Sequence, residues 1–257
     1  MHAYLVAVLV LWGLAPMALA SHLHGRWIEP KAPQVPTLAP YFVMMSGLAA
    51  LGLLLEGPGM LTDGWWAGIV ASVPVGYLIA HLAWHADRRV TARFSGRQGW
   101  SPAQPRATRA SGPARPVGIA ATGNEPGGAH GAVASNRWSR AEQARETRIG
   151  LQWLVVGAVL EELVYRGALS HMALSMGLWP WGVTGLVGVS ATFALSHLPF
   201  GWGQAAAKLP LSVLALAATL VTGNVLAAVI GHTWFNVRVF RHYQAAFGGQ
   251  AAGRRAR

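Results

Sequence analysis

Ile149-Gly-Leu-Gln-Trp-Leu-Val-Val-Gly-Ala-Val-Leu-Glu161-Glu162-Leu-Val-Tyr-Arg166-Gly-Ala-Leu-Ser-His171-Met-Ala-Leu-Ser175 is the stretch that decides how the chain is read. A bilayer core of about 30 Å takes roughly 20 apolar residues of helix, and this segment is long enough to cross it. Two adjacent carboxylates lie deep inside it. At 1.5 Å per residue, Glu161 is about 18 Å in from Ile149, near mid-bilayer. A charge at that depth costs at least ~2.5–3.5 kcal/mol. For Glu162 an offset is at hand, because Arg166 sits four residues on and stacks on the same helix face. Glu161 points about 100° away and has no partner on its own helix. Its helical neighbours are Gly157, Ala158, Tyr165 and Ala168, three of them small, which leaves room for water or another backbone beside the carboxylate. An unpaired intramembrane acid is a functional candidate by default.

The rest of the chain supports a membrane setting. Of 257 residues, 53% are hydrophobic and only 11% charged, against about 25% charged in soluble domains. Fifteen of the charged residues, eleven Arg and four acids, fall between positions 86 and 148. The remainder is therefore too poor in charge to coat a soluble surface, and too apolar for a disordered chain. Seven apolar stretches are predicted as spans: 1–20, 41–55, 65–85, 149–175, 182–198, 207–222 and 224–241. The expected fold is all-α, a polytopic membrane helical bundle of about seven transmembrane helices with a flexible insert. Its parts are three N-terminal helices over 1–85, an Arg/Pro/Gly-rich insert over 86–148, a four-helix core over 149–241 and a basic tail over 242–257. Thr222-Gly223-Asn224 reads as a tight turn between antiparallel neighbours, and Pro210 is expected near the start of its span.

Charge placement gives the orientation. With the insert in the cytoplasm, alternation also puts there Arg26 and Lys31, the loop beside Lys208, and the tail with Arg241, Arg254, Arg255 and Arg257. The opposite loops, 56–64, 176–181 and 222–224, contain no Lys or Arg, as the positive-inside rule requires. Trp65, Trp66, Trp179 and Trp181 fall at the outer ends, where an aromatic belt sits. Ala18-Leu19-Ala20 resembles a cleavage site, but the stretch before it has no Lys or Arg, so 1–20 is read as a retained span. The protein is expected in the cell membrane, multi-pass, with insert and C-terminus cytoplasmic. The net charge of +11 is assigned to topology and contact with anionic lipid, not to nucleic acid. There is no cysteine, which excludes disulfides and thiolate chemistry. The end of the insert, residues 139–148, reads as a solvated tether or a short surface helix.

Two later spans each carry a deep histidine, in Phe193-Ala-Leu-Ser-His197 and in His232-Thr-Trp-Phe-Asn236. His232 and Asn236 are four apart and share a face. One membrane histidine is ordinarily an interhelical hydrogen-bonding residue. Two of them with an amide and an unpaired acid at similar depth suggest a site. His81 and His85, also four apart, read as an interfacial pair with metal binding as the alternative, and His171 reads as packing or interface.

These three segments resemble the signature of the CPBP family of intramembrane endopeptidases, the CAAX-prenyl-protease-related (Abi) group. That signature is EExxxR, FxxxH and HxxxN or HxxxD on successive membrane helices. The resemblance covers about residues 150–240 and implies an enzyme that hydrolyses a peptide bond of a membrane-associated substrate. By that resemblance, Glu161 would be the general base for a water, with His197 holding or polarising it. His232 and Asn236 would hold the oxyanion, and Glu162 and Arg166 would brace the helix or orient substrate. No cofactor is implied; a zinc version with His197, His232 and a glutamate as ligands is the alternative. Amide hydrolysis independently needs a base and donors aimed at the developing oxyanion. The partners expected are a peptide or protein substrate and the lipid bilayer. Other functional readings are a proton-coupled transporter, although internal repeats are not evident, and a non-catalytic scaffold or immunity-type membrane protein.

Overall fold

A computed structural model describes residues 11–13, 15–32, 35–36, 38–62, 66–98, 150–176 and 178–255. The first ten residues of the expected first span, Trp65, and the insert from 99 to 149 with its possible surface helix lie outside them. The described chain is helical, apart from turns and one isolated bridge between Thr62 and Asn224. In order, the helices are α1 (Pro16–Leu23), α2 (Leu38–Glu56), α3 (Trp66–Gln98), α4 (Leu151–Glu162), α5 (Ser170–Ser175), α6 (Val183–Leu195), α7 (Trp202–Thr222) and α8 (Leu226–Arg255). A wider π-helical stretch, Leu163–Leu169, joins α4 to α5 without a break, and a second, Leu178–Gly182, leads into α6.

Several boundaries differ from the sequence-based expectation, in both directions: α6 ends at Leu195, short of the expected 198, so that His197 lies in the turn beyond it, while other helices run longer. The helix after Pro16 runs on through a π-turn to Ile28, into the loop expected after residue 20. α3 continues to Gln98, so residues 86–98 are helix and the Arg-rich insert starts later than position 86. Polar residues ended the predicted span there, but a helix leaving a bilayer has no reason to stop at the boundary. α7 begins at Trp202, which puts Pro210 inside the helix. Among the described residues, three helices are long and apolar enough to cross a membrane by length and composition: Leu38–Glu56, Trp66–Phe94 and Trp202–Thr222. Large apolar side chains such as Val43, Leu54, Val70 and Val221 stand more than 60% exposed on them, as side chains facing acyl chains do.

Turn chemistry sets the pairing of helices. Gly223 takes φ 64, the left-handed region open to glycine, and lets the chain reverse between α7 and α8. Asn224 holds the reversal: its Nδ2 donates to Thr222 O (2.9 Å) and its Oδ1 accepts from the Leu226 N–H (3.0 Å) and from Ser72 Oγ of α3 (2.8 Å). The Val225 N–H donates to Leu61 O (3.0 Å). The Lys- and Arg-free loops around 57–62 and 222–224 therefore meet at one end of the bundle.

α3 packs along both α7 and α8, and α8 also lies against α4. Small residues let the backbones close, as membrane helix pairs require. A Cβ at Gly76 of α3 would come within 2.8 Å of the Ile230 side chain and 2.9 Å of Ala227 O on α8. Gly76→Ala is therefore expected to destabilise the bundle by about 1–3 kcal/mol through overpacking, read as a lower unfolding midpoint in detergent. On the other side, Gly52 of α2 meets Ala168 just after the acidic helix. The space the small residues leave beside that helix is thus taken by α2, the backbone alternative of the expectation.

Candidate active site

The site forms where α4 and its π-stretch face α2, α6, α7 and α8. Glu162 is fully buried and Arg166 is 2% exposed. Their carboxylate Oε2 and guanidinium Nε are 3.2 Å apart, an ion pair in contact but without a hydrogen bond aligned on Oε2. Arg166 Nη2 donates to both Ser212 O and Ser212 Oγ at 3.0 Å, and Ser212 Oγ donates to Ser190 O at 3.0 Å. The expected Glu162–Arg166 pair is present, and it also ties α4 to α7 and α6.

His232 brings the second half of the site. Its Nδ1 lies 2.7 Å from Glu162 Oε1 and its Nε2 lies 3.9 Å from Glu161 Oε2. A carboxylate only accepts, so Nδ1 carries the proton given to Glu162. The imidazole thus sits between two adjacent carboxylates that an ideal helix points about 100° apart. The π-stretch begins at the residue after Glu162, and such widened turns recur at functional sites.

Glu161 is the more accessible acid, with its side chain 14% exposed. Sequence spacing left it unpaired; the structure gives it a partner from α2, the Tyr41 hydroxyl, which donates to Glu161 Oε1. Tyr41 was not singled out by sequence. A phenol in an apolar helix is an unremarkable residue, and nothing local links it to a carboxylate 120 positions away. Tyr41→Phe keeps the ring and removes the donor. A hydrogen bond to a charged group contributes about 1.5–3 kcal/mol, so a loss of stability of up to that size is expected, read as a lower unfolding midpoint in detergent.

His197 and Asn236 are each held through one nitrogen by a backbone carbonyl. His197 Nδ1 donates to Phe193 O (3.0 Å) and lies 3.2 Å from Ser196 Oγ. No hydrogen bond joins it to Glu161 or His232 among the described residues. The side chain is held by its own helix end, which leaves Nε2 as the free nitrogen. Asn236 Nδ2 donates to Leu154 O on α4 at 3.1 Å, leaving the second N–H of that amide without a partner among the described residues. Phe193 is what all these groups share. Its ring centroid lies 5.2 Å from that of His197, 5.6 Å from His232 and 5.3 Å from Tyr165, and Arg166 Cζ stands 4.2 Å over it. The two imidazoles therefore flank one phenyl ring. A zinc site would need His197, His232 and a glutamate in one ligand sphere. Among the described residues no three His, Asp or Glu side chains converge in that way, so the donor set does not fit that version.

A cavity of about 100 Å³ reaches Arg166 from the end of the bundle where Gly59 and Met60 meet Gly223 and Asn224. Ser170 and Thr219 line it with hydroxyls. Its lining mixes these hydroxyls and Arg166 with apolar side chains such as Met60 and Leu220, and it is large enough for water. Beside it, His171 Nδ1 lies 2.7 Å from Glu56 Oε2, which makes the histidine expected as packing half of an ion pair when protonated.

The arrangement defines a helical membrane protein with a buried acid–imidazole site. Residues 145–238 match the family described as Type II CAAX prenyl endopeptidase Rce1-like. The matched segment, somewhat over a third of the chain, is the one that carries Glu161, Glu162, Arg166, His197, His232 and Asn236. Among curated proteins and among solved structures, nothing matches.

Proposed function

We propose that this protein is an intramembrane endopeptidase of the glutamate type, hydrolysing a peptide bond of a membrane-associated substrate without a metal. The observation that carries the reading is the division of labour between two adjacent acids. Glu162 is neutralised by Arg166 and held by His232, while Glu161 is not paired with Arg166, is partly exposed, and faces His232 Nε2 at 3.9 Å.

In this reading Glu161 takes a proton from a water, whose oxygen attacks the substrate carbonyl carbon. The C=O π pair moves onto oxygen. His232 and Asn236 stabilise that oxyanion. Because His232 Nδ1–H is already given to Glu162, donation from Nε2 requires the imidazolium form. Asn236 contributes its second N–H. Collapse of the intermediate breaks the C–N bond, and protonated Glu161 returns its proton to the leaving amine. His197, fixed through Nδ1, offers Nε2 to orient the water or substrate from the other side of Phe193. Glu162 and Arg166 are positioning residues.

The orientation with insert and C-terminus cytoplasmic in the cell membrane belongs to the same proposal. It is supported by the meeting of the Lys- and Arg-free loops around 57–62 and 222–224 at one end and by α3 and α8 running side by side away from it as far as Trp84 and His242. The reading is tested by comparing the cleaved proteins of membranes carrying wild-type protein, Glu161→Ala and His232→Ala. Fragments present with wild type and missing with both variants are expected. Fragments that persist in both, with the proteins still inserted, refute it.

A further inference from the structure

A second set of polar residues lies outside this site, along the groove between α3 and α8. On each helix the residues recur every four positions and so stack on one face. α3 contributes Tyr77, His81 and His85, and α8 contributes Trp234, Arg238 and His242. The rungs touch. Tyr77 and Trp234 have ring centroids 5.0 Å apart. One turn on, Arg238 Nη1 lies 3.4 Å from His81 Nδ1, and His81 and His85 rings are 4.6 Å apart. Above them Trp84 packs on His242 at 5.4 Å, with Arg88 Cζ 5.8 Å over its ring.

Charge in this groove is one-sided. α8 carries no acid, and the single acid of α3, Asp87, pairs with Lys208 at 3.8 Å. Among the described residues no carboxylate of either helix pairs with Arg238, so its guanidinium is open to an anion from outside the chain. With Arg238 donating to Nδ1 of His81, that imidazole carries its proton on Nε2 and presents a further donor.

Depth identifies the anion. His81 lies about 22 Å along α3 from Trp66 and Arg88 about 33 Å, which brackets the far boundary of a ~30 Å hydrocarbon core. One turn towards the core, exposed apolar side chains take over: Tyr77 is 49% exposed and Leu78 56%. The groove is therefore cationic at headgroup depth and apolar beneath, the profile of an anionic phospholipid. Basic pockets between membrane helices bind such headgroups, and a guanidinium fork matches phosphate oxygens.

We propose that the α3–α8 groove is a binding site for an anionic phospholipid, its phosphate held by Arg238, His81 and His85 and an acyl chain lying on Tyr77 and Trp234. This is independent of the proteolytic reading, because its readout is bound lipid and not cleavage.

The test uses the full chain purified in mild detergent and offered phosphatidylglycerol and phosphatidylcholine of identical acyl chains, with retained lipid measured by native mass spectrometry. Wild type should retain phosphatidylglycerol in preference. His81→Gln/Arg238→Gln should lose at least about tenfold of that preference, as removal of one charge-assisted contact implies. Arg26→Gln/Lys31→Gln, which removes charge from another element, should keep it. Should the first pair fail to fold, His85→Gln/Arg88→Gln, both exposed, carries the same expectation. Equal retention of the two lipids by wild type, undiminished preference in the folded groove variants, or an equal loss in the Arg26/Lys31 control overturns the proposal. So does displacement of phosphatidylglycerol by inorganic phosphate at matching concentration, which would mean that the groove reads a free ion.

Discussion

Glu161→Gln is expected to reduce peptide hydrolysis by about 10²–10⁴-fold, the range a positioned general base contributes, with the protein still inserted and folded. The contrast between rate and stability makes the prediction specific. Glu161 makes one hydrogen bond, from Tyr41, and its approach to His232 is 3.9 Å. Glutamine preserves shape and can still accept from Tyr41, so the fold loses little. It cannot take a proton from water. Turnover of a cleavable reporter in membranes, set beside the unfolding midpoint of the same preparation, separates the two effects. Comparable activity in Glu161→Gln and wild type would remove Glu161 from the chemistry and the proposed mechanism with it.

The opposite pattern is expected one turn along. Arg166→Met should destabilise the protein by about 3–5 kcal/mol, the cost of leaving a buried charge without its partner, and the variant should fail to accumulate in membranes. Arg166 faces the Glu162 carboxylate, the Ser212 backbone and hydroxyl, and the Phe193 ring at once. Methionine replaces only the apolar part of those contacts. Arg166→Lys should recover little, since a single ammonium nitrogen cannot face Glu162 as Nε does and the Ser212 oxygens as Nη2 does while a plane stacks on the Phe193 ring. Glu162→Gln/Arg166→Met removes both charges and should regain part of the lost stability, though not activity, because His232 loses its carboxylate partner. If Arg166→Met accumulated and unfolded like wild type, the pair would not be holding α4, α6 and α7 together.

The parts of this site that were legible in the sequence are those whose partners lie within one or two helical turns. Glu162 and Arg166 are four apart, so helix geometry alone stacks them. The depth of Glu161, His197 and His232 could be counted along their spans, and depth is what brings residues of different helices to one level. Rotation of each helix about its axis cannot be counted that way, and it decides which side chains touch. His197 was expected to hold or polarise the water that Glu161 activates; its ring is bound to its own helix end and faces the Phe193 ring. Both acids meet His232 where the helix widens after Glu162, a departure that no apolar periodicity announces. The all-helical fold was legible from composition and from the length of the apolar runs. Helix ends were less so, because a membrane sets where apolar residues stop and not where hydrogen bonding stops; α3 therefore continues past the bilayer boundary to Gln98.

Tyr41 lies outside residues 145–238, the portion shared with a known family, yet its hydroxyl rests on the acid proposed to act as base. Ser72, also outside, braces the reversal that delivers His232. A chimaera that grafted only the shared portion onto foreign N-terminal helices would keep every signature residue and still be missing these two supports. In this chain the unit that inheritance or engineering must move intact is the whole bundle.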